Sequence, residues 1–473
     1  MRRGLTVVVI LAAIAASASS SPGTEAVQTD PKFEQLAVLV TQKMTEYGIP
    51  GVAFGMVRNG QVTVRGFGVT NLDDPQPITP DTVFPLASIS KTIAATAIMR
   101  LVEQGKIDLA APVRTYLPDF KVQDETASRE VAIWHLLTHT PGWEGQLTTQ
   151  DRGTETLAFF ANSASDLPQL APPGAVWSYN NAGFTIAGRV IEVVTSQPIH
   201  EAIRKLVFEP IGLTRAFTRL EDVATHRFSV AHRTQDGKPM VVRPMTRSTS
   251  VTAGGVSMSL NDLLTYARFH LGDGTSRDGT RVLSRASLEQ MRTSRLRKNS
   301  TDEDMGLGWH LRRVGGVMTA AHGGTLGHIL LLEMVPERNL AFAILTNHGD
   351  GWRLIQDVER NALTVLEGMT LAPTQAIGHR GLNETIPDVP LLATQPDPAP
   401  YVGIYRRPPL TTTYDVRVEK GQLMVGNAPV AFYGPDQAVY TSGNQRWNQV
   451  EFIRRPDNTV GWVRVGGRIA RKD

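Results

Sequence analysis

The chain has no cysteine, which excludes disulfides, thiolate metal sites, thiol catalysis and lipid attachment through cysteine. It has little net charge: 48 basic against 45 acidic residues give +3, and no footprint for a nucleic acid follows from that balance. A local basic run, Arg281, Arg285, Arg292, Arg295, Arg297 and Lys298, reads as a solvated helix face and loop rather than a stripe for an acidic polymer. No Gly-x-Ser-x-Gly occurs, so the strand-to-helix nucleophile turn of α/β-hydrolases is missing. His135 and His139 stand four apart on an expected helix, but Leu136 occupies the place of the glutamate in a His-Glu-x-x-His zinc motif. Both histidines therefore read as structural, and no metal or cofactor is expected. There is also no internal repeat of solenoid period.

What is present is a chain of 473 residues with 41% hydrophobic composition, enough for a large core and two or three domains. Arg2 and Arg3, an apolar stretch from Leu5 to Ala16 and the small residues Ala16-Ser17-Ala18 form the pattern of a secretory signal peptide, residues 1–18. The apolar stretch is too short for a retained membrane anchor, and no later stretch is long enough to span a bilayer. The expectation is an exported protein, periplasmic or extracellular, with no stable membrane anchor after cleavage. Composition leaves its oligomeric state open.

Phe33, Leu36, Val40 and Met44 recur at helical spacing. Val52, Phe54 and Met56 then alternate up to Asn59-Gly60, and Val62 and Val64 alternate after it, which predicts two strands joined by a tight primed turn. Two more strand-like runs, Ile329 to Pro336 and Leu340 to Leu345, precede a helical pattern from Arg353 to Leu366. Between these ends most patterns are helical: Lys91 to Glu103, Ala182 to Val194, Ile199 to Val207 and Leu260 to His270. The economical fold for residues 31–369 is α/β (α+β): one antiparallel sheet built from both ends of the segment, flanked by helices, with a mostly helical subdomain inserted. A proline-containing linker, residues 370–400, follows. From Tyr401 short alternating strands with Gly and Asn turns predict a small all-β barrel or sandwich, residues 401–473.

The stretch Ala87-Ser-Ile-Ser-Lys91 places Ser88 and Lys91 three apart. If a helix begins near Ser88, the two share a face and the ammonium can approach the serine oxygen. Helix N-terminal donors also suit a developing oxyanion. The same residues fit a helix cap with a solvated lysine, and the pair alone does not decide between them.

Two further stretches do. Pro173 to Phe184 (PGAVWSYNNAGF) carries Tyr179 and Asn181, and His322 to Thr325 (HGGT) lies just ahead of the strand at Ile329. Ser-x-x-Lys, then Tyr-x-Asn, then a glycine-bearing triplet opening a strand, in that order, resembles the serine β-lactamases and penicillin-binding proteins, in particular the class C branch with its esterase and D-peptidase relatives. HLLTHTPGW at 135–143, FEPIGL at 208–213, AGGVSMSLNDL at 253–263 and GLGWHL at 306–311 extend the resemblance across residues 31–369. The tail is similar to the lipocalin-like barrel found on some relatives.

The resemblance implies a β-lactamase-like fold and an acyl-enzyme mechanism. Ser88 would be the nucleophile, Lys91 its activating partner, and Tyr179 the base that returns a proton to the leaving group. Asn181 would bind Lys91 and a substrate amide. His322, Gly323 and Gly324 would line the opposite wall, and the backbone N–H groups of Ser88 and Thr325 would form the oxyanion hole. Gly254 and Gly255 would border the site or make a turn.

A tyrosine titrating near 10 needs a shift of about three units, about 4 kcal/mol, to act as a base at neutral pH. One ammonium about 4 Å away at an effective dielectric of about 20 supplies roughly that. Lys91 as the base needs a similar shift, so either residue can deprotonate Ser88. His322 stands where β-lactamases carry lysine, which lowers the hold on a substrate carboxylate. Expected substrates are therefore small molecules with ester or amide bonds first, then β-lactams and D-peptides. A non-hydrolytic cell-wall or ligand-binding protein on the same scaffold is the alternative of another class.

Overall fold

Asp30 opens the first helix, Pro31–Tyr47, by accepting the Lys32 N–H on its side chain; Pro31 fits the first turn, and Gly48 closes it at φ +65°. In this computed structural model residues 30–473 are described apart from 146–150, 246–247, 299–302, 374, 376–384 and 387. The expected signal peptide lies outside the described residues, as does part of the expected linker.

The expected hairpin follows, with Gly51–Arg58 paired to Gln61–Gly68 through Asn59 and Gly60, both at positive φ. Gly51–Arg58 also pairs antiparallel with Leu340–Thr346, so the two ends of the segment meet within the sheet, as its second and third strands. From there the eight-stranded sheet continues through Ile329–Val335, Val317–Thr325, His310–Val314, Glu303–Met305 and Leu296–Arg297. Every residue of Leu340–Thr346 is buried, which requires cover on both faces. Phe342 and Ile344 join Val52, Phe54 and Met56 under Pro31–Tyr47 and Trp352–Glu367. Ala341, Ala343 and Leu345 face the inserted helical region with Ala53 and Val57. Each fully buried large aliphatic or aromatic side chain contributes about 1.5–3 kcal/mol, so the period-2 pattern fixes the register.

Arg312 reaches across this sheet to Glu333 at 3.3 Å and Glu359 at 3.0 Å, with all three side chains almost wholly buried. These bonds tie two strands to the helix Trp352–Glu367. The basic run 281–298 does not form one solvated face. Arg281 and Arg285 pair with Asp273 and Glu289, Arg292 donates to the His270 carbonyl, and Lys298 forms a buried pair with Glu303.

Residues 403–472 form a closed antiparallel barrel of eight strands, closed because Gly403–Arg406 pairs with Arg468–Lys472. Four of its strands carried too little alternation to be read from sequence: Gly403–Arg406, Ala428–Gly434, Gln437–Tyr440 and Arg468–Lys472. Tyr401, Tyr405, Phe432, Tyr440 and Phe452 fill its interior with aliphatic residues, as expected for a barrel of this strand number. The described part of the expected linker packs on it: Ile386 and Val389 rest against Tyr433, Val439 and Trp447.

Candidate active site

Ser88 does not begin the α-helix. It lies in a 3-10 turn, Ala87–Ile89, that runs into the helix Ser90–Glu103, and neither element has a side-chain cap. The capping alternative is thereby removed. Ala87, immediately before the serine, has φ +47°, a left-handed conformation costing about 1–3 kcal/mol in a residue with a side chain. The helix behind is buried on almost every side, with Ala94, Ala95 and Ala97 allowing close approach.

Lys91 is fully buried. Its Nζ lies 3.0 Å from Ser88 Oγ and donates to the Ala253 carbonyl at 2.6 Å. That carbonyl belongs to the short helix Val251–Gly254, so the segment holding Gly254 and Gly255 does border the site. Tyr179 is also fully buried, and Lys91 Nζ stands 5.0 Å from its ring centroid. The tyrosine hydroxyl approaches Ser88 without completing a hydrogen bond.

Burial pushes the Lys91 ammonium well below its ordinary 10.5, and the Arg468 charge lowers it further. Burial pushes Tyr179 above its ordinary 10, outweighing the lowering by Ser88 and Arg468. The expectation that an ammonium draws the tyrosine down to neutrality is reversed here, because desolvation exceeds the charge effect. Burial thus works against the charged form of each group, the ammonium of Lys91 and the phenolate of Tyr179.

Asn181 is the first residue of the helix Asn181–Thr195 and does not bond Lys91; Ala253 O takes that place. Its neighbour Asn180 is the cap, accepting the Gly183 N–H at 2.7 Å and donating to the Trp143 carbonyl at 2.8 Å. His322, Gly323, Gly324 and Thr325 lie ahead of the strand Ile329–Val335 as expected, and also close the strand Val317–Thr325, pairing with Ile329–Leu332. The small residues permit this. A Cβ on Gly324 would stand 2.3 Å from the Leu86 carbonyl, so this strand end lies directly against the turn bearing Ser88, with Thr325 exposed at its tip.

His322 Nδ1 lies 2.8 Å from the Gly323 carbonyl, which fixes the ring proton on Nδ1. His139 and His310 complete a buried trio, with one ring nitrogen from each histidine within 4.8 Å of the others. The short helix Ile133–Leu137 ends before His139, which sits at φ +60° and stacks on Tyr179 with ring centroids 4.4 Å apart. Its Nδ1 lies 2.9 Å from the Asn180 N–H and 3.2 Å from the Asn180 carbonyl, so either tautomer of His139 finds a backbone partner.

A feature that sequence reasoning missed comes from the barrel. The hairpin Val460–Val465 and Arg468–Lys472 lies against the segment carrying Tyr179. Gly467 O accepts the Tyr179 N–H at 2.8 Å, Arg468 Nε donates to Tyr179 O at 3.2 Å, and the Ile469 N–H donates to Ser178 Oγ at 3.2 Å. Arg464 Nη1 donates to Trp177 O and Trp462 Nε1 to Leu170 O. Trp462 and Ile469 bury themselves with Leu170, Ala171 and Val176. Gly466-Gly467 was legible as a turn, but nothing local in the sequence locates that turn beside Tyr179.

A cavity of roughly 280 Å³, with no barrel residue in its lining, is bounded by Leu157, Thr249, Gly254, Val256 and Leu326, among others. Gly254 abuts Ala87 and Leu326 follows Thr325, so this cavity lies beside the nucleophile turn.

Residues 36–366 match the family model described as Beta-lactamase. The chain is 33% identical to a protein named penicillin-binding protein 4 from Amycolatopsis lactamdurans over 375 residues, 77% of this chain and 94% of that protein. It is 32% identical to esterase EstB from Burkholderia gladioli over 244 residues, 48% of this chain and 61% of the esterase. The crystal structure of SurE superposes with a TM-score of 0.76 at 25% identity, covering 94% of this chain and 99% of that one.

Proposed function

The chain belongs to the beta-lactamase family, and on that premise we propose that it is a serine hydrolase that opens ester and amide bonds through an acyl-enzyme on Ser88. The observation that carries this reading is the 3.0 Å approach of the buried Lys91 amine to Ser88 Oγ, beside a buried tyrosine and ahead of a helix.

Lys91, held neutral by burial, takes the Ser88 proton as Oγ bonds to the substrate carbonyl. Tyr179, held as a phenol, passes a proton to the leaving atom as its bond to the acyl carbon breaks. The backbone donors of Ser88 and Thr325 stabilise the oxyanion. Water, deprotonated in the same way, then releases the acyl group. The cavity beside Gly254 and Leu326 receives the acyl side chain. Esters and amides are the first substrates, with β-lactams and D-peptides next, and the protein works after export.

The test is hydrolysis of a chromogenic short-chain ester and a chromogenic cephalosporin by the wild type and Ser88→Ala, with intact-mass detection of the acyl adduct. Turnover of either substrate by wild type alone supports the reading, and the ratio of the two rates places the enzyme between esterase and β-lactamase. An adduct that forms without release supports a binding role instead.

A further inference from the structure

Five cationic or imidazole groups stand around Tyr179: His139 and His310 stack on its ring, and of the other three two are already committed. Lys91 serves Ser88 and the Ala253 carbonyl. His322 gives one ring proton to the Gly323 carbonyl, so at most one ring nitrogen remains for a ligand. Arg468 is the third. Its side chain comes from the barrel, and the residue is only 7% exposed. The guanidinium carbon lies 5.8 Å from the Tyr179 ring centroid, and Nε donates to Tyr179 O.

Among the described residues the guanidinium makes no other hydrogen bond and no ion pair. The nearby carboxylate, Glu144, is buried and pairs with Arg407 at 3.3 Å; it assists Arg468 only through space. A guanidinium this buried, with most of its N–H fork unengaged, is open to completion by an anion. The planar fork matches a carboxylate in a bidentate geometry.

Position decides which part of a substrate meets it. Tyr179 hands its proton to the leaving atom, so a group against Tyr179 faces the leaving-group side of the scissile bond. We propose that Arg468 anchors a carboxylate on the leaving group, so that the barrel supplies the charge the His322 wall does not. The substrate class is then an ester or amide whose leaving alcohol or amine carries a carboxylate near the bond that breaks. This rests on the acyl-enzyme reading above. In each turnover the acyl–oxygen or acyl–nitrogen bond breaks, the Ser88 Oγ–acyl bond forms, and the serine proton reaches the leaving atom by way of Lys91 and Tyr179.

The test compares two N-acylglycine aryl esters, one releasing 3-hydroxybenzoate and the other 3-hydroxybenzamide, assayed on the alkaline plateau of the pH profile. Wild type prefers the acid. Arg468→Gln lowers the acid-to-amide ratio of kcat/KM by about 10–100-fold, the scale of a charge-assisted bidentate contact, whatever loss the two substrates share, and Arg468→Lys restores part of it. A ratio unchanged within about threefold overturns the assignment, because a purely structural arginine would affect both esters alike. Ser88→Ala, inactive on both, separates failure of this inference from failure of the hydrolase reading. If wild type hydrolyses neither ester, the inference is decided by binding: 3-hydroxybenzoate raises the melting temperature of wild type but not of Arg468→Gln, and equal shifts in the two overturn it.

Discussion

Gly467, in the last turn of the barrel, accepts the backbone N–H of Tyr179, in the hydrolase domain, at 2.8 Å. The tyrosine is thus held by a domain that the sequence suggests as an appendage. Removing residues 400–473 from a protein that still folds is expected to abolish turnover of every substrate, beyond any change in substrate range. Circular dichroism checks the fold and ester hydrolysis checks the activity. Retention of a tenth or more of wild-type kcat would show that Tyr179 holds its place unaided.

Burial and the Arg468 charge both lower Lys91, so the acid limb of the kcat/KM profile is expected well below 10.5. Activity falls as pH drops through that limb, because the ammonium cannot accept the serine proton. Lys91→Arg keeps the charge yet loses about 10²–10⁴-fold, the scale of general-base catalysis. Arg468→Gln moves the limb upward, since removing a neighbouring cation favours the ammonium, and the burial contribution remains.

His322→Lys introduces a fixed cation into the wall, and turnover of carboxylate-bearing substrates is expected to rise. In an Arg468→Gln background it recovers about tenfold of the lost preference. Steady-state kinetics on the paired esters reads both effects, and an unchanged preference would count against them.

Arg312→Met removes the buried guanidinium that bonds both Glu333 and Glu359. A loss of about 3–5 kcal/mol is expected, read as a lower urea midpoint at unchanged slope. Replacing all three residues with apolar ones of similar volume recovers most of it.

His135 and His328 are held by burial at about 4, below the ordinary 6.5. The unfolded chain binds their protons from 6.5 downward and the folded chain does not, so stability present above 6.5 is lost as pH falls toward 4. Each histidine contributes a slope of about 1.4 kcal/mol per pH unit in that window. Urea titrations at pH 7.5, 6 and 5 test this, and His328→Phe should flatten the dependence by about one proton.

Strong periodicity made much of the fold legible: the hairpin at Asn59-Gly60, the helices at both ends of the hydrolase domain and half of the barrel strands declare themselves locally. The order Ser88, Lys91, Tyr179, His322 was legible for the same reason, since each residue sits in a short patterned stretch. Other features depend on tertiary placement. Burial, invisible in a local window, reverses the direction of the Tyr179 shift. The small residues of Ala321 to Gly324 belong to the end of a strand that the local pattern ahead of Ile329 did not show. Arg468, in a stretch with no motif, becomes part of the site through pairing across the chain.

Arg468 and Tyr179 are 289 residues apart in the chain. A ribosome that has just finished the tyrosine still has that whole distance to translate before the contact can form. The region around Ser88 is synthesised early and the barrel hairpin late, so while the chain is still growing Ser88 stands beside a Tyr179 that the barrel does not yet hold.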